Sequence, residues 1–227
     1  MMVNFSTSFI DLIIPRFCSC CKTKLASGSF FVCKECLDKI KKPDEKRLNR
    51  EFKRKFADSN IISDFTSHFV FEKDKEIQNI IHALKYEKKF LLGVFLGTLL
   101  GETITKSFAG QKIDLMVPIP LHHLKKAERE FNQSFYIAKG IHKITGIKVS
   151  TRLIKRKRYT ESQTAMDIFE REENIRGAFI STKKLKGENI LIIDDVITTG
   201  STTRECGRVL LNAGAGKIYA ASAAIAR

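Results

Sequence analysis

The apolar residues of this chain fall into short aliphatic runs and helically spaced sets, separated by strongly polar stretches. Residues 1 to about 40 hold a short apolar leader and then a group of cysteines. Residues 41–60 are polar, charged and without strand patterning. Phe65, Phe69 and Phe71 mark a weak strand, after which Ile77, Ile80, Ile81 and Leu84 repeat at three and four residues and predict a helix over about 75–89. A second helix is expected over 91–107. The run Ile113 to Val117 reads as a strand, closed by Pro118 and Pro120, which cannot continue a hydrogen-bonded ladder. Residues 133–144 read as helix and 147–149 as a short strand. Residues 155–166 are polar and basic with no apolar period, a loop of a length that is usually functional or disordered. The last third reads as strand (190–193), turn, helix (201–212), a stop at Gly214 and strand (217–223), which is a βαβ unit. The fold class is therefore α/β, a central parallel sheet flanked by helices over 56–227, behind a small module and basic linker over 1–55.

Charge sharpens this picture. The 227 residues carry 40 Lys and Arg against 25 Asp and Glu, a net of +15, which repels itself unless an anion offsets it. Between His122 and Arg158 stand eleven cations and two acids, a local net of +9, and a second basic stretch runs from Lys39 to Lys55. One such run is usually a solvated face; two in one chain favour an anionic partner, nucleic acid or phosphate. The first fourteen residues lack a basic segment and a cleavage motif, so a cytoplasmic protein is expected. The most apolar window, Phe90 to Leu100, has about half the residues needed to cross a bilayer, and no membrane span is predicted.

The most specific signal is the thirteen-residue stretch Ile190 to Thr202. Four aliphatics run into Asp194 and Asp195, then Val196, Ile197, Thr198, Thr199, Gly200, Ser201 and Thr202. A buried parallel strand delivers its carboxyl end to the crevice where open α/β sheets bind ligands, and the next helix offers unpaired N–H groups to an anion. Gly200 lets the backbone approach a phosphate, and the hydroxyls supply donors. The carboxylates, about one sugar length away, suit ribose hydroxyls. Two acids after a strand can merely cap a helix, but the full pattern is far more specific. A P-loop is excluded, because no Gly-Lys-Ser or Gly-Lys-Thr triplet occurs. The reading is a site for phosphoribosyl pyrophosphate (PRPP).

Five of the six cysteines lie between Cys18 and Cys36. Cys18 and Cys21, then eleven residues, then Cys33 and Cys36 form two Cys-x-x-Cys turns that can meet at one tetrahedral centre. Four sulfur ligands with no open position fit structural Zn2+; a redox dithiol is the rival, since a single Cys-x-x-Cys serves that chemistry. Cys206 reads as packed in its helix.

Beyond these patterns, the chain resembles the ComF family of bacterial competence proteins. The resemblance rests on the paired Cys-x-x-Cys sets, Ile81 to Tyr86, Val117 to His122, Arg129 with Phe131, Asn132 and Gln133, Gln163 with Thr164, Arg171 with Asn174, Ala178 with Phe179, and the acidic turn. It departs at Glu130, where the family usually has glycine, and in the extra Cys20. The resemblance implies a type I phosphoribosyltransferase fold behind an N-terminal zinc module, with Asp194 and Asp195 catalytic and PRPP bound together with Mg2+ by 194–202. It implies a pyrophosphate loop of Pro118, Ile119, Pro120, Leu121 and His122. Lys85 and Arg129 become phosphate partners, and Arg156, Arg158 and Gln163 belong to a flexible loop that closes over the ligand. A place in natural competence and DNA uptake follows, with incoming single-stranded DNA and other competence proteins as expected partners. No residue names the acceptor of a transferred ribosyl group, so the alternative is a catalytically silent, PRPP-responsive or DNA-binding adaptor.

Overall fold

A computed structural model of the chain describes residues 15–26, 28–158 and 175–227. Its centre is a five-stranded, all-parallel sheet built from β1 (Asp64–Phe71), β2 (Leu115–Pro118), β3 (Lys148–Val149), β6 (Ile190–Ile197) and β7 (Ile218–Ala226), in the order β1-β7-β6-β2-β3. β4 (Ile154–Arg156) and β5 (Phe179–Ser181) form a separate antiparallel pair.

The central strands are buried on both faces, which is why β6 opens with four consecutive aliphatics. Side chains alternate across a strand: Leu191 and Ile193 enter one core with helices α3 (Glu76–Tyr86), α4 (Phe90–Ser107) and α6 (Gln133–Thr145). Ile190 and Ile192 enter the other with α2 (Glu45–Phe56), α7 (Ser201–Asn212) and the β4–β5 pair. Helices thus cover both faces, as an α/β sheet requires.

α4 and α6 pack with unusually close backbones. A Cβ on Gly97 would stand 2.1 Å from the Ile137 carbonyl oxygen, and one on Gly140 2.1 Å from that of Val94. At eighteen residues α4 is longer than the window singled out from sequence, and it is long and apolar enough to cross a membrane. Its Leu92, Leu96, Leu100 and Ile104 are nevertheless buried in the core it shares with α6 and the sheet.

Two expectations need correction, and a stretch without strand patterning carries a helix. β6 does not stop at Ile193: it runs through Asp194 and Asp195 to Ile197, with Asp194 in register with Ser222 of β7. β7 continues the ladder past the end of β2 and supplies partners that outweigh the poor strand propensity of aspartate. Lys155 and Arg156 are not loop residues, since Arg156 pairs with Phe179 and Lys155 with Ile180. The charged stretch 41–60 contains α2, capped by Asp44, whose carboxylate accepts the Arg47 amide at 2.7 Å.

Glu130 lies just past α5 (His123–Arg129) in the left-handed region, φ +64°. That geometry explains the glycine usual at this place, because a Cβ is penalised there. Lys88, between α3 and α4, is also left-handed (φ +53°), and its ammonium pairs with the Glu130 carboxylate.

Candidate functional site

β6 and β2 are neighbours and parallel, so their carboxyl ends open on one crevice. The Ile119 amide donates to the Ile193 carbonyl at 3.0 Å, which sets the 118–122 loop beside the acidic pair. Asn132 fixes that loop from above, its amide donating to the Ile119 carbonyl at 3.0 Å while its oxygen caps α6 by accepting the Phe135 amide. His122 caps α5, accepting the Leu124 amide at Nδ1.

Asp194 and Asp195 are adjacent yet differently held. Asp194 Oδ1 accepts the Asp195 amide at 2.8 Å and the Ser134 hydroxyl at 3.2 Å. Asp195 Oδ1 accepts the Val196 amide at 2.7 Å, and its Oδ2 is 3.0 Å from Lys85 Nζ. Burial and the neighbouring Asp195 charge push the Asp194 carboxyl up to about 7. Burial works to raise Asp195 as well, but Lys85, Arg129 and the Val196 amide outweigh it and hold that carboxyl below its ordinary range. Unlike surroundings thus push the two carboxyls in opposite directions, Asp194 toward its protonated form and Asp195 toward its ionised form.

Cations crowd the same crevice from three other elements. Lys125 is pushed below the usual lysine value by burial and by the charges of Arg156, Arg129 and Lys85. His122 is likewise lowered by burial and by His123, Arg156 and Lys125. Such mutual repulsion is relieved by a bound anion. The buried Nε of Arg129 and Nε2 of Gln133 have no hydrogen-bond partner among the described residues, two further donors at this place. Arg158 Nη2 donates to the Arg176 carbonyl at 3.0 Å. Gln163, with Thr164, Arg171 and Asn174, lies outside the described residues.

The turn after β6 forms a small, open recess lined by Asp194 and residues 196–203. Gly200 is left-handed (φ +78°) and starts α7, whose first amides have no partner within the helix. Ser201 Oγ and Thr199 Oγ1 lie 2.9 Å apart at the recess. Behind the turn Lys55 donates to the Thr198 carbonyl, and Arg204 Nη1 donates to the carbonyls of Lys55 and, at 3.2 Å, Thr199.

The sulfur atoms of Cys18, Cys21, Cys33 and Cys36 all lie within 4.8 Å of one another. Cys21 and Cys33 sulfurs are 3.8 Å apart, matching the edge of about 3.8 Å that a tetrahedron with metal–sulfur bonds near 2.3 Å requires. The amides of Cys20 and Cys33 donate to Cys18 Sγ at 3.4 and 3.3 Å, the kind of support that steadies a thiolate ligand. The donor set fits a tetrahedral thiolate-bound metal. Cys20 is outside the four and packs in the apolar core, and Cys206 is buried in the core beneath α7.

Lys85 and Arg129 stand beside the acidic pair, whereas Arg156 lies on β4, its guanidinium 5.3 Å over the Phe179 ring and its charge felt by Lys125 and His122. Ser134, Lys125, Lys55 and Arg204 were not singled out as site residues. Ser134 sits one residue beyond the Asn132-Gln133 motif, a usable signal. Lys55 and Arg204 had none, because their contacts join residues 143 and 149 positions apart.

Residues 132–226 match the phosphoribosyl transferase domain. Among curated proteins, Competence protein F of Haemophilus influenzae is 26% identical over 145 residues, covering 61% of this chain and 63% of that one. DNA utilization protein YhgH of Salmonella typhimurium is 30% identical over 142 residues, with the same coverage of each. Competence protein ComFC of Bacillus subtilis is 26% identical over 186 residues, 81% of this chain and 67% of its own. The chain therefore spans a little under two thirds of the first two relatives. Similar solved structures include a glutamine PRPP amidotransferase from B. subtilis in complex with ADP and GMP (TM-score 0.39, 20% identity, 66% of this chain and 28% of that one). Another is a purine phosphoribosyltransferase from Pyrococcus horikoshii (TM-score 0.36, 17% identity, 59% and 72%).

Proposed function

We propose, from the premise that this chain belongs to the ComF family and carries a phosphoribosyltransferase-type domain, that its acidic turn binds PRPP and serves ribosyl transfer in the handling of incoming single-stranded DNA. One observation carries the reading: an acidic pair and an amide-lined turn share a crevice with Lys85, Lys125 and Arg129, whose mutual repulsion an anion relieves. The 5-phosphate rests in the 198–202 turn, Asp194 and Asp195 take the ribose hydroxyls, and the 118–122 loop with Arg129 and Lys85 takes the pyrophosphate. Charge that develops on the leaving group meets fixed donors, which is where electrostatic catalysis acts.

Mg2+ suits this site because it prefers oxygen ligands and keeps several waters. Asp194 and Asp195 are the residues that would hold it or its waters, and it would supply charge neutralisation for the pyrophosphate. Burial favours the protonated form of Asp194 and Lys85 the ionised form of Asp195, so the two carboxyls can take different roles in moving a proton. The four cysteines hold a structural Zn2+, with a folding role. A cytoplasmic location agrees with a site for a soluble phosphosugar.

The experiment is calorimetry with PRPP and Mg2+. Asp194→Ala with Asp195→Ala is expected to lower affinity at least about a hundredfold, the scale of losing several charge-assisted contacts. Unchanged affinity removes the assignment. Pyrophosphate release with a panel of bases and with single-stranded DNA then separates a transferase from a silent, PRPP-responsive adaptor.

A further inference from the structure

The turn that follows β6 is tied to a helix that precedes the segment matched to the phosphoribosyl transferase domain. Lys55, on α2, is 4% exposed, and its ammonium is shared between the Thr198 carbonyl and Glu51 Oε2 at 3.2 Å. Arg204 Nη1 reaches both the Thr199 carbonyl and the Lys55 carbonyl, tying the turn to the helix a second time. The next residue, Phe56, fills the space behind Gly200: a Cβ there would stand 2.8 Å from the Phe56 ring and 3.2 Å from Lys55 Cβ. No residue of α2 lines the recess in front of the turn.

A trans peptide is planar, so its C=O and N–H point in opposite directions. The Thr198 carbonyl is drawn back to Lys55, which aims the Thr199 amide away from α2. The Thr199 carbonyl is drawn back to Arg204, which does the same for the Gly200 amide. Glu51 Oε2 is shared with Arg54 at 2.7 Å, so it offsets the Lys55 charge only in part, and Lys55 gives the turn direction together with some positive potential.

We infer that Lys55, acting with Arg204, is a positioning residue that turns the Thr199 and Gly200 amides toward the ligand's phosphate, making α2 part of the binding site. This rests on the reading of the turn as a phosphate site. It assigns a function to residues outside 132–226, the segment matched to the domain family.

The test is calorimetry of wild type, Lys55→Met and Lys55→Arg with ribose 5-phosphate, with PRPP and with pyrophosphate, Mg2+ present throughout. Lys55→Met is expected to weaken ribose 5-phosphate and PRPP alike, by about tenfold, the scale of misdirected hydrogen bonds to a charged group. Pyrophosphate binding stays within twofold, and Lys55→Arg restores most of the loss. General damage to the fold would lower all three ligands together and would not be rescued. In wild type, amide NMR during titration with ribose 5-phosphate should move Thr199 and Gly200 most, a readout that survives if Lys55→Met fails to fold. If wild type binds ribose 5-phosphate and those two amides stay still, or folded Lys55→Met binds it as tightly as wild type, the inference is overturned. If wild type does not bind ribose 5-phosphate at all, the phosphate reading of the turn falls first.

Discussion

The four-thiol cluster and the acidic turn both hold a few polar atoms in fixed geometry, yet they are held in opposite ways. The thiols come from nineteen consecutive positions, and the regular structure among them is the six-residue helix α1 (Lys34–Lys39) and one isolated bridge, Phe17 to Lys24. So little secondary structure makes a metal the natural source of cohesion. The turn lies at the end of a central strand, and its partners reach it from α2, α3, α6 and α7. A site of the first kind stands or falls with its ion; one of the second kind stands or falls with the fold.

The contrast is broken most severely at the thiols. Cys33→Ser with Cys36→Ser should remove an equimolar zinc content and unfold the module, since structural zinc contributes on the order of 10 kcal/mol. Metal analysis with amide exchange reads this out, and a folded, metal-free module would refute the zinc assignment. Next comes Gly97→Val, which drives a side chain into the Ile137 backbone. The expected loss is about 3 kcal/mol in denaturant unfolding, and with it the turn should loosen while zinc stays bound. Loss of less than about 1 kcal/mol would mean that α4 and α6 can separate freely.

A smaller effect belongs to Asp194→Asn. The folded carboxyl, near 7, holds its proton more tightly than the unfolded one, near 4. Stability is therefore undiminished below about pH 4 and falls as pH rises toward 7, where the cost is complete. Asparagine removes that cost, so the melting-temperature gain should grow from pH 4 to pH 8, by about 2–4 °C per kcal/mol relieved. A gain independent of pH would sink this account. The least effect is expected from Lys22→Ala, which removes an exposed pair with Glu87, 2.7 Å apart, linking the cysteine module to the end of α3. It should cost under about 1 kcal/mol and vanish in high salt. A larger loss would show that this pair couples the module to the domain more strongly than an exposed ion pair does.

The same contrast explains what could be read in advance. Helix 201–212, the cysteine spacing and the order of acids and hydroxyls are local patterns, and each appears where its residues place it. α2 was missed because eight of its twelve residues are charged, yet Leu48, Phe52 and Phe56 recur at every fourth position and face the core. The continuation of β6 through two aspartates could not be read locally, because the ladder that stabilises it comes from β7, whose partners lie more than twenty-five residues on. The direction of Lys85 is a tertiary fact too: helix periodicity gives its face, and only the packed sheet shows that Asp195 lies opposite.

The bond between Lys88 and Glu130 carries a consequence of its own. Lys88 follows Lys85 by three residues and Glu130 follows Arg129 directly, so the bond staples together two segments that flank the crevice mouth. Both partners stand largely in water, 71% and 52% exposed, where dissolved electrolyte weakens such a tie. Brine should let the rim breathe and dilute buffer should keep it drawn, which makes the width of the entrance a quantity that the surrounding ionic medium sets.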